Sequence, residues 1–494
     1  MNSQPLTEGG DLWSKQPMHV FFAALPVGPL IALLVFGIAL LLVLILRFKL
    51  QAFLALILVS VVVAVVSKSV NPDAVPLTQV AQTIVNSMGG ALGFIATIIG
   101  IGAIFGAILE HSGGTQSLAT TLVRFFGKEK APWAMLITGF IISIPVFLDV
   151  ALVMLAPLLY ALARDTKKPL LVFGMPLVAG MAVTHAFVPP TPGPVAVGYI
   201  LGVNLGWVIL FGVIVGLPTA IICGPWVTEK IVKGIEVSLP EPDGEVEESS
   251  KGLPGVGLIL FLVAMPIGLI LTSTIVEQMT AASLGTELTN SERQAALSAA
   301  LASAGALKQF IYFLGHPVIA LLLSTLAALY FLGTRRGVSR ETLLEISTKA
   351  LGPAGIIILI TGAGGVFKGV LKETGITDAL AEAFGNSGIP VLVLAYVFAT
   401  LVRIAQGSAT VAMLTAAGLM VGFVQDLSQQ NLALVTICIA AGATGFSHVN
   451  DSGFWMISRY FRMSEAQTLR SWSVISTMIS VVGFGLALLV SLFV

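Results

Sequence analysis

The chain is 494 residues long, 56% hydrophobic and only 10% charged, with 25 basic and 25 acidic side chains and a mean hydropathy of +0.98. That balance lies far outside the soluble globular range and points to an integral membrane protein. Zero net charge without a basic, aromatic-interleaved stretch excludes a nucleic-acid partner, and the two cysteines, Cys223 and Cys438, sit in apolar sequence that fits packing better than a disulfide framework.

Residues 1–26 are polar and mildly acidic, lack the basic start and cleavage signature of a secretory leader, and are expected to be a retained tail. Runs at 29–46, 52–66, 206–223, 256–271, 318–332 and 474–494 are candidates to cross about 30 Å of hydrocarbon as helices rising about 1.5 Å per residue. Alternating β-barrel segments are absent, so the expected fold is an all-α polytopic membrane protein with the lipid bilayer as its surroundings.

The first membrane half covers 27–227. Arg47 and Lys49 follow the first span, which by the positive-inside rule puts that loop in the cytoplasm and the N-terminus in the periplasm; Arg335, Arg336 and Arg340 mark another cytoplasmic loop. GIGAIFGAILEHSGGTQSLA at 100–119 matches GAGGVFKGVLKETGITDALA at 362–381 without a gap, Gly113 falling on Gly375 and Thr115 on Thr377, so the chain contains an internal repeat. The glycines in these runs predict close helix packing. No G-x-x-x-x-G-K-[ST], HExxH or metal-ligand spacing occurs, so neither an ATPase nor a metal centre is expected.

The stretch 132–163, interrupted by Pro145, is either a re-entrant hairpin or two crossings. Either way an even number of spans separates the repeats, which then face opposite ways. This is the pattern of inverted-repeat secondary transporters with re-entrant hairpins and discontinuous helices, here with roughly 10–14 membrane segments. Asp149 is a lone acid in SIPVFLDVALVMLAPLL, either functional at depth, where it would cost about 3 kcal/mol on insertion scales, or placed at an interfacial hairpin tip.

THAFVPPTPGP at 184–194 has four prolines within six residues, so no helix continues through it. Its freed backbone groups either meet water in a surface loop or line a cavity where helix N-termini can hold an anion, with Thr191 and Gly193 as candidate ligand groups.

Residues 228–252, acidic and broken by Pro240 and Pro242, read as a hydrophilic linker between the halves. In the second half, 253–494, the segment 277–310 is too polar to span easily and is expected as a helix outside the core or a short interfacial element. Arg403 in TLVRIAQGSATVAM can take a carboxylate through two hydrogen bonds or a structural acid, and Gln406, Ser408 and Thr410 lie close by.

FSHVNDSGFW at 446–455 falls opposite THAFVPPTPGP in the repeat register, placing His448 and His185 in equivalent breaks. Ser447, Asn450 and Ser452 match a hydroxylated ligand, while Asp149, His185, His448 and Asp451 are the candidate proton carriers. Replacing Asp451 by Asn is expected to spare folding and impair proton-driven uptake.

Together FSHVNDSGFW, RIAQGSATVA, HAFVPPTPGPVA and GGVFKGVLKETG resemble the gluconate permease (GntP) family of bacterial inner-membrane transporters, from about Ile45 to the C-terminus. The resemblance implies import of gluconate or a related small hydroxy-acid anion by proton symport. It also implies a homodimer, a scaffold holding a mobile transport domain, and no cofactor, the proton gradient being the energy source. Family members often carry His where this chain has Thr191, Pro at Ser452 and Glu at Asp149. These departures bear on the substrate, since relatives also carry D-serine, sugar acids and other hydroxy acids. Sodium coupling through Asn450 or Ser408 is the nearest alternative. A channel, or an intramembrane enzyme built on Asp451 and His448, is further off, because no nucleophile or paired-aspartate motif accompanies them.

Overall fold

The computed structural model describes residues 27–239, 252–284, 290–379, 390–424, 427–449 and 451–494, and all regular structure among them is helical. The first half contains α1 (Val27–Leu46), α2 (Ala52–Val70), α3 (Val80–His111), α4 (Gly114–Phe126), α5 (Ala131–Ile142), α6 (Leu148–Thr166), α7 (Leu171–Phe187), α8 (Pro192–Leu201), α9 (Leu205–Ile222) and α10 (Pro225–Val232). The second contains α11 (Val256–Ala281), α12 (Asn290–Ala302), α13 (Ala306–Leu314), α14 (Pro317–Ala328), α15 (Arg340–Glu373), α16 (Val391–Gln406), α17 (Ala409–Met420), α18 (Gln429–Thr444), α19 (Ser452–Tyr460) and α20 (Val474–Ser491). Among the described residues, eight helical stretches are long and apolar enough to cross a membrane.

Helices α3 and α15 carry the internal repeat and pack along each other. Gly100 meets Leu351, Gly362 meets Met88 and Leu92, and Gly369 meets Ser87, so the two run antiparallel and the repeats are inverted. Where lipid is as apolar as leucine, small residues that let helices approach supply the packing energy. A Cβ at Gly365 would collide with that of Ala91, which is why the glycines occur here. Both helices end on a left-handed glycine, Gly113 at φ 75° and Gly375 at φ 77°, so the repeat extends to the backbone.

The stretch 132–163 is a re-entrant hairpin. At 12 residues α5 rises only about 18 Å, too little to cross, and the ion pairs Lys128–Asp165 (3.4 Å) and Lys168–Glu129 (3.0 Å) tie both open ends to one face. Its tip is Ser143–Phe147, and α5 lies backbone to backbone against α7 through Gly139 and Gly180. The second half repeats the design: α16 stops at Gln406, the chain turns at Gly407 (φ 80°), and α17 starts under the Ser408 cap. Each hairpin is followed by a broken span, α7–α8 interrupted at 188–191 and α18–α19 at 445–451.

Three expectations change. The linker begins later than residue 228, because Pro225 starts α10 and Thr228 is wholly buried, its hydroxyl on the Gly224 carbonyl at 3.0 Å. Residues 240–251 of that linker and the tail 1–26 lie outside the described residues. The segment 277–310 divides into the end of α11, then α12 and α13 bent by 119°, with no fully buried residue on α13. Third, His185 and His448 do not occupy equivalent breaks. Helix α7 runs through His185 until Pro189 ends it, whereas α18 ends at Thr444, leaving His448 inside the break.

A polar hub joins one end of the bundle. Asn204 caps α9 through Gly206 N (2.8 Å), accepts from Thr274 Oγ1 (3.0 Å), donates Nδ2 to Glu277 Oε2 (2.6 Å), and gives its backbone N–H to Gln429 Oε1 (2.7 Å). Asn204→Ala strips the cap and the Glu277 partner together. The expected loss is about 2 kcal/mol, read as a lower thermal midpoint of the solubilised protein.

Candidate transport site

The second-half breaks are held by one cation. Arg403, one turn before α16 ends, donates Nε to the Gly445 carbonyl (3.1 Å), one terminal nitrogen to the Gly407 carbonyl, and the other to Asp451 Oδ2 (2.5 Å). The pair is buried, with side chains 4% and 12% exposed. Asp451 also accepts from Ser447 Oγ (2.5 Å) and caps α19 through Gly453 N (2.9 Å). Arg403 thus ties together the hairpin turn, the end of α18 and the start of α19.

The backbone of Phe446 and Ser447 finds partners at the start of α20 and on its cap residue Ser473, which sequence reasoning missed. Phe446, at φ 53°, is a left-handed non-glycine residue, a conformation that persists only when its surroundings impose it. Its N–H goes to Thr477 Oγ1 (3.2 Å), the Ser447 N–H to Ser476 Oγ (3.4 Å), and Ser473 Oγ–H to the Ser447 carbonyl. Trp472 Nε1–H donates to Ser447 Oγ (2.8 Å). The signal was available as hydroxyls recurring in SWSVIST at 471–477, the start of the last apolar run. His448 is half-buried and donates Nε2–H to the Ile404 carbonyl (3.1 Å).

Other candidates keep free chemistry. Gln406 is 8% exposed, and both its amide oxygen and nitrogen are buried without a hydrogen-bond partner among the described residues. Ser408 caps α17, Thr410 is half-buried in the first turn of that helix, and Ser452 is exposed at the start of α19. Asn450 lies outside the described residues.

In the first half the hairpin tip faces the α7–α8 break. Ile144–Phe147 and Pro190–Pro192 line one small cavity of about 20 Å³, together with Ile99, Gly102 and Ala103 of α3. Thr191 is buried, and its hydroxyl is engaged by the Val188 carbonyl (2.7 Å). His185 has a buried Nδ1 without a partner among the described residues, and its ring meets Phe147 edge-on at 6.4 Å. Ser143 Oγ, at the end of α5, is likewise buried and unpartnered among the described residues. Asp149 is exposed in the first turn of α6.

Beyond the tip a vestibule of about 650 Å³ opens between α3, α4, α6 and α15, and includes Glu110, His111 and Lys349. Helices α8 and α17 join the halves: a Cβ on Gly193 would stand 2.5 Å from Met413 Sδ.

Inverted repeats, two re-entrant hairpins and two interrupted spans around buried, unsatisfied polar atoms define a polytopic secondary transporter, not an enzyme. The fold is shared with the Alcanivorax borkumensis YdaH transporter, whose crystal structure superposes with a TM-score of 0.60 at 13% identity, covering 90% of this chain and 99% of that one. The GntP family permease model matches residues 29–493, and the chain belongs to that family. It is 37% identical over 465 residues to the gluconate permease of Bacillus subtilis (strain 168), covering 93% of this chain and 98% of the relative. It is 35% identical over 449 residues to the low-affinity gluconate transporter of Escherichia coli (strain K12), covering 90% and 95%.

Proposed function

We propose that this permease imports gluconate, or a sugar-acid anion close to it, across the bacterial inner membrane by proton symport. Relatives named for gluconate support the substrate class. The observation that carries the site is the Gln406 amide, buried without partners beside the N-terminus of α17. An amide donates to a carboxylate and accepts from a hydroxyl, and a helix N-terminus favours an anion, so the two together suit a polyhydroxylated carboxylate. Arg403 and Asp451 hold the breaks in shape around this ligand, with Ser408, Thr410 and Ser452 as further hydroxyl contacts. Of the four expected proton carriers, Asp451 is held in its ion pair with Arg403, which leaves His185, Asp149 and His448 to carry the proton.

Charge sidedness supports the orientation. Asn71 Nδ2 donates to the Thr374 carbonyl, so the C-terminal ends of α2 and α15 share a face and their starts share the other. Arg47 and Lys49 precede α2, and Arg335 and Arg336 precede α15, so that second face is cytoplasmic and the start of α1 is periplasmic. The vestibule, with Lys349 near the start of α15, then opens inward. The proposed assembly is a homodimer, checked by light scattering of the solubilised protein.

Uptake of a labelled sugar-acid panel into proteoliposomes, under a proton or a sodium gradient separately, tests the reading. Uphill accumulation of no acid under the proton gradient would sink it. A single substitution sharpens the site. Gln406→Leu removes an unsatisfied buried amide, so the empty carrier should be as stable or more stable, by about 1 kcal/mol. Substrate affinity should nonetheless fall about tenfold, measured by ligand-induced thermal shift; unchanged affinity removes Gln406 from the site.

A further inference from the structure

The vestibule has one acid on its wall, Glu110, and a second, Asp149, on the hairpin arm that helps to line it, and substrate binding uses neither. Glu110, at the C-terminal end of α3, is on its wall. Asp149 lies between the lining residues Phe147 and Val150, close enough for its charge to act on both Glu110 and His185. Neither carboxylate has a cation within salt-bridge distance among the described residues. The basic groups on the same walls are His111 and Lys349, and Lys349 is paired with Glu345 at 2.7 Å. A carboxylate locked in an ion pair is a poor proton relay, whereas two neighbouring carboxylates readily share a proton.

Phe147 borders the vestibule, borders the cavity of about 20 Å³ at the α7–α8 break, and touches the His185 ring. That cavity has room for about one water molecule and none for a six-carbon acid. Ala103, Pro145, Val146 and Phe147 line both the cavity and the vestibule, so the two lie side by side. The repeat places Lys372 where Glu110 stands, so the acidic pair belongs to one face only.

We propose that Asp149 and Glu110 form the cytoplasmic relay for the coupled proton. The His185 imidazolium passes its proton to the Asp149 carboxylate, Asp149 passes it to Glu110, and Glu110 releases it to vestibule water, leaving His185 neutral and both carboxylates ionised. This rests on the proton-symport reading above.

The experiment uses proteoliposomes loaded with the pH dye pyranine and given labelled gluconate. In Glu110→Gln, uphill accumulation and gluconate-driven internal acidification should fall about tenfold or more. Gluconate counterflow, which needs no net proton release, should fall no more than about threefold, and Glu110→Asp should regain at least about half the accumulation. Accumulation by Glu110→Gln within about twofold of wild type overturns the relay. Equal loss of counterflow and accumulation, unrescued by aspartate, also overturns it and assigns Glu110 to packing. Accumulation by the wild type under sodium but not proton gradients overturns the symport reading and the relay together, and is seen before any variant is made.

Discussion

Asp451→Asn is expected to cost the folded carrier about 3–5 kcal/mol, the usual consequence of leaving a buried guanidinium without its counter-charge. Asparagine keeps one acceptor oxygen, enough to cap α19 or to accept from Ser447 but not both, and the larger loss comes from Arg403, which is 4% exposed and left without its counter-charge. The three acceptors around Arg403 replace the expectation that this substitution spares folding. Thermal midpoints from fluorescence-detected size-exclusion chromatography would measure it. Adding Arg403→Met to Asp451→Asn removes the stranded charge and should restore most of the stability. Uptake at the wild-type rate by that double variant would show that the pair only holds the breaks in place.

Gly139→Val should be at least as damaging. A Cβ at Gly139 lands on the Leu177 carbonyl, and one at Gly180 on the Leu136 carbonyl, so α5 and α7 touch backbone to backbone at two points. No rotamer change relieves a clash with main chain, and the expected cost is about 3 kcal/mol or more, with the first hairpin displaced. The protein should then elute as aggregate. Gly257→Val, in α11 where a Cβ meets nothing within 4 Å, is the control and should elute as wild type; equal behaviour of the two variants would refute the packing argument.

Much of the architecture was legible because it rests on local chemistry. Four prolines between 189 and 194 leave no helix a way through, and 100–119 matches 362–381 residue by residue, so the first break and the repeat could be read from the residues. The hairpin at 132–163 was ambiguous, because its apolar composition suits a crossing as well as a return. The pairing of Lys128 with Asp165 across the membrane face resolves it. The site was legible in part. Gln406, Ser408, Arg403 and Asp451 were recognisable as polar groups in apolar surroundings, yet nothing local says that Arg403 and Asp451 answer each other or that Gln406 answers no one. Glu110 gave no signal at all, since an acid near a helix end is ordinary until a vestibule is seen beside it.

Composition, proline and glycine placement and the repeat alone settled an all-α membrane protein with inverted halves and polar interruptions, since each follows from backbone sterics and the cost of polarity in lipid. Which polar groups meet depended on helices some 40 to 300 residues apart coming into contact, as Arg403 does with Gly445 and Asn71 with Thr374. Hydrogen bonds act over about 3 Å of space with no regard to sequence distance. Packing therefore decided which side chains were spent on the scaffold and which were left to receive a ligand.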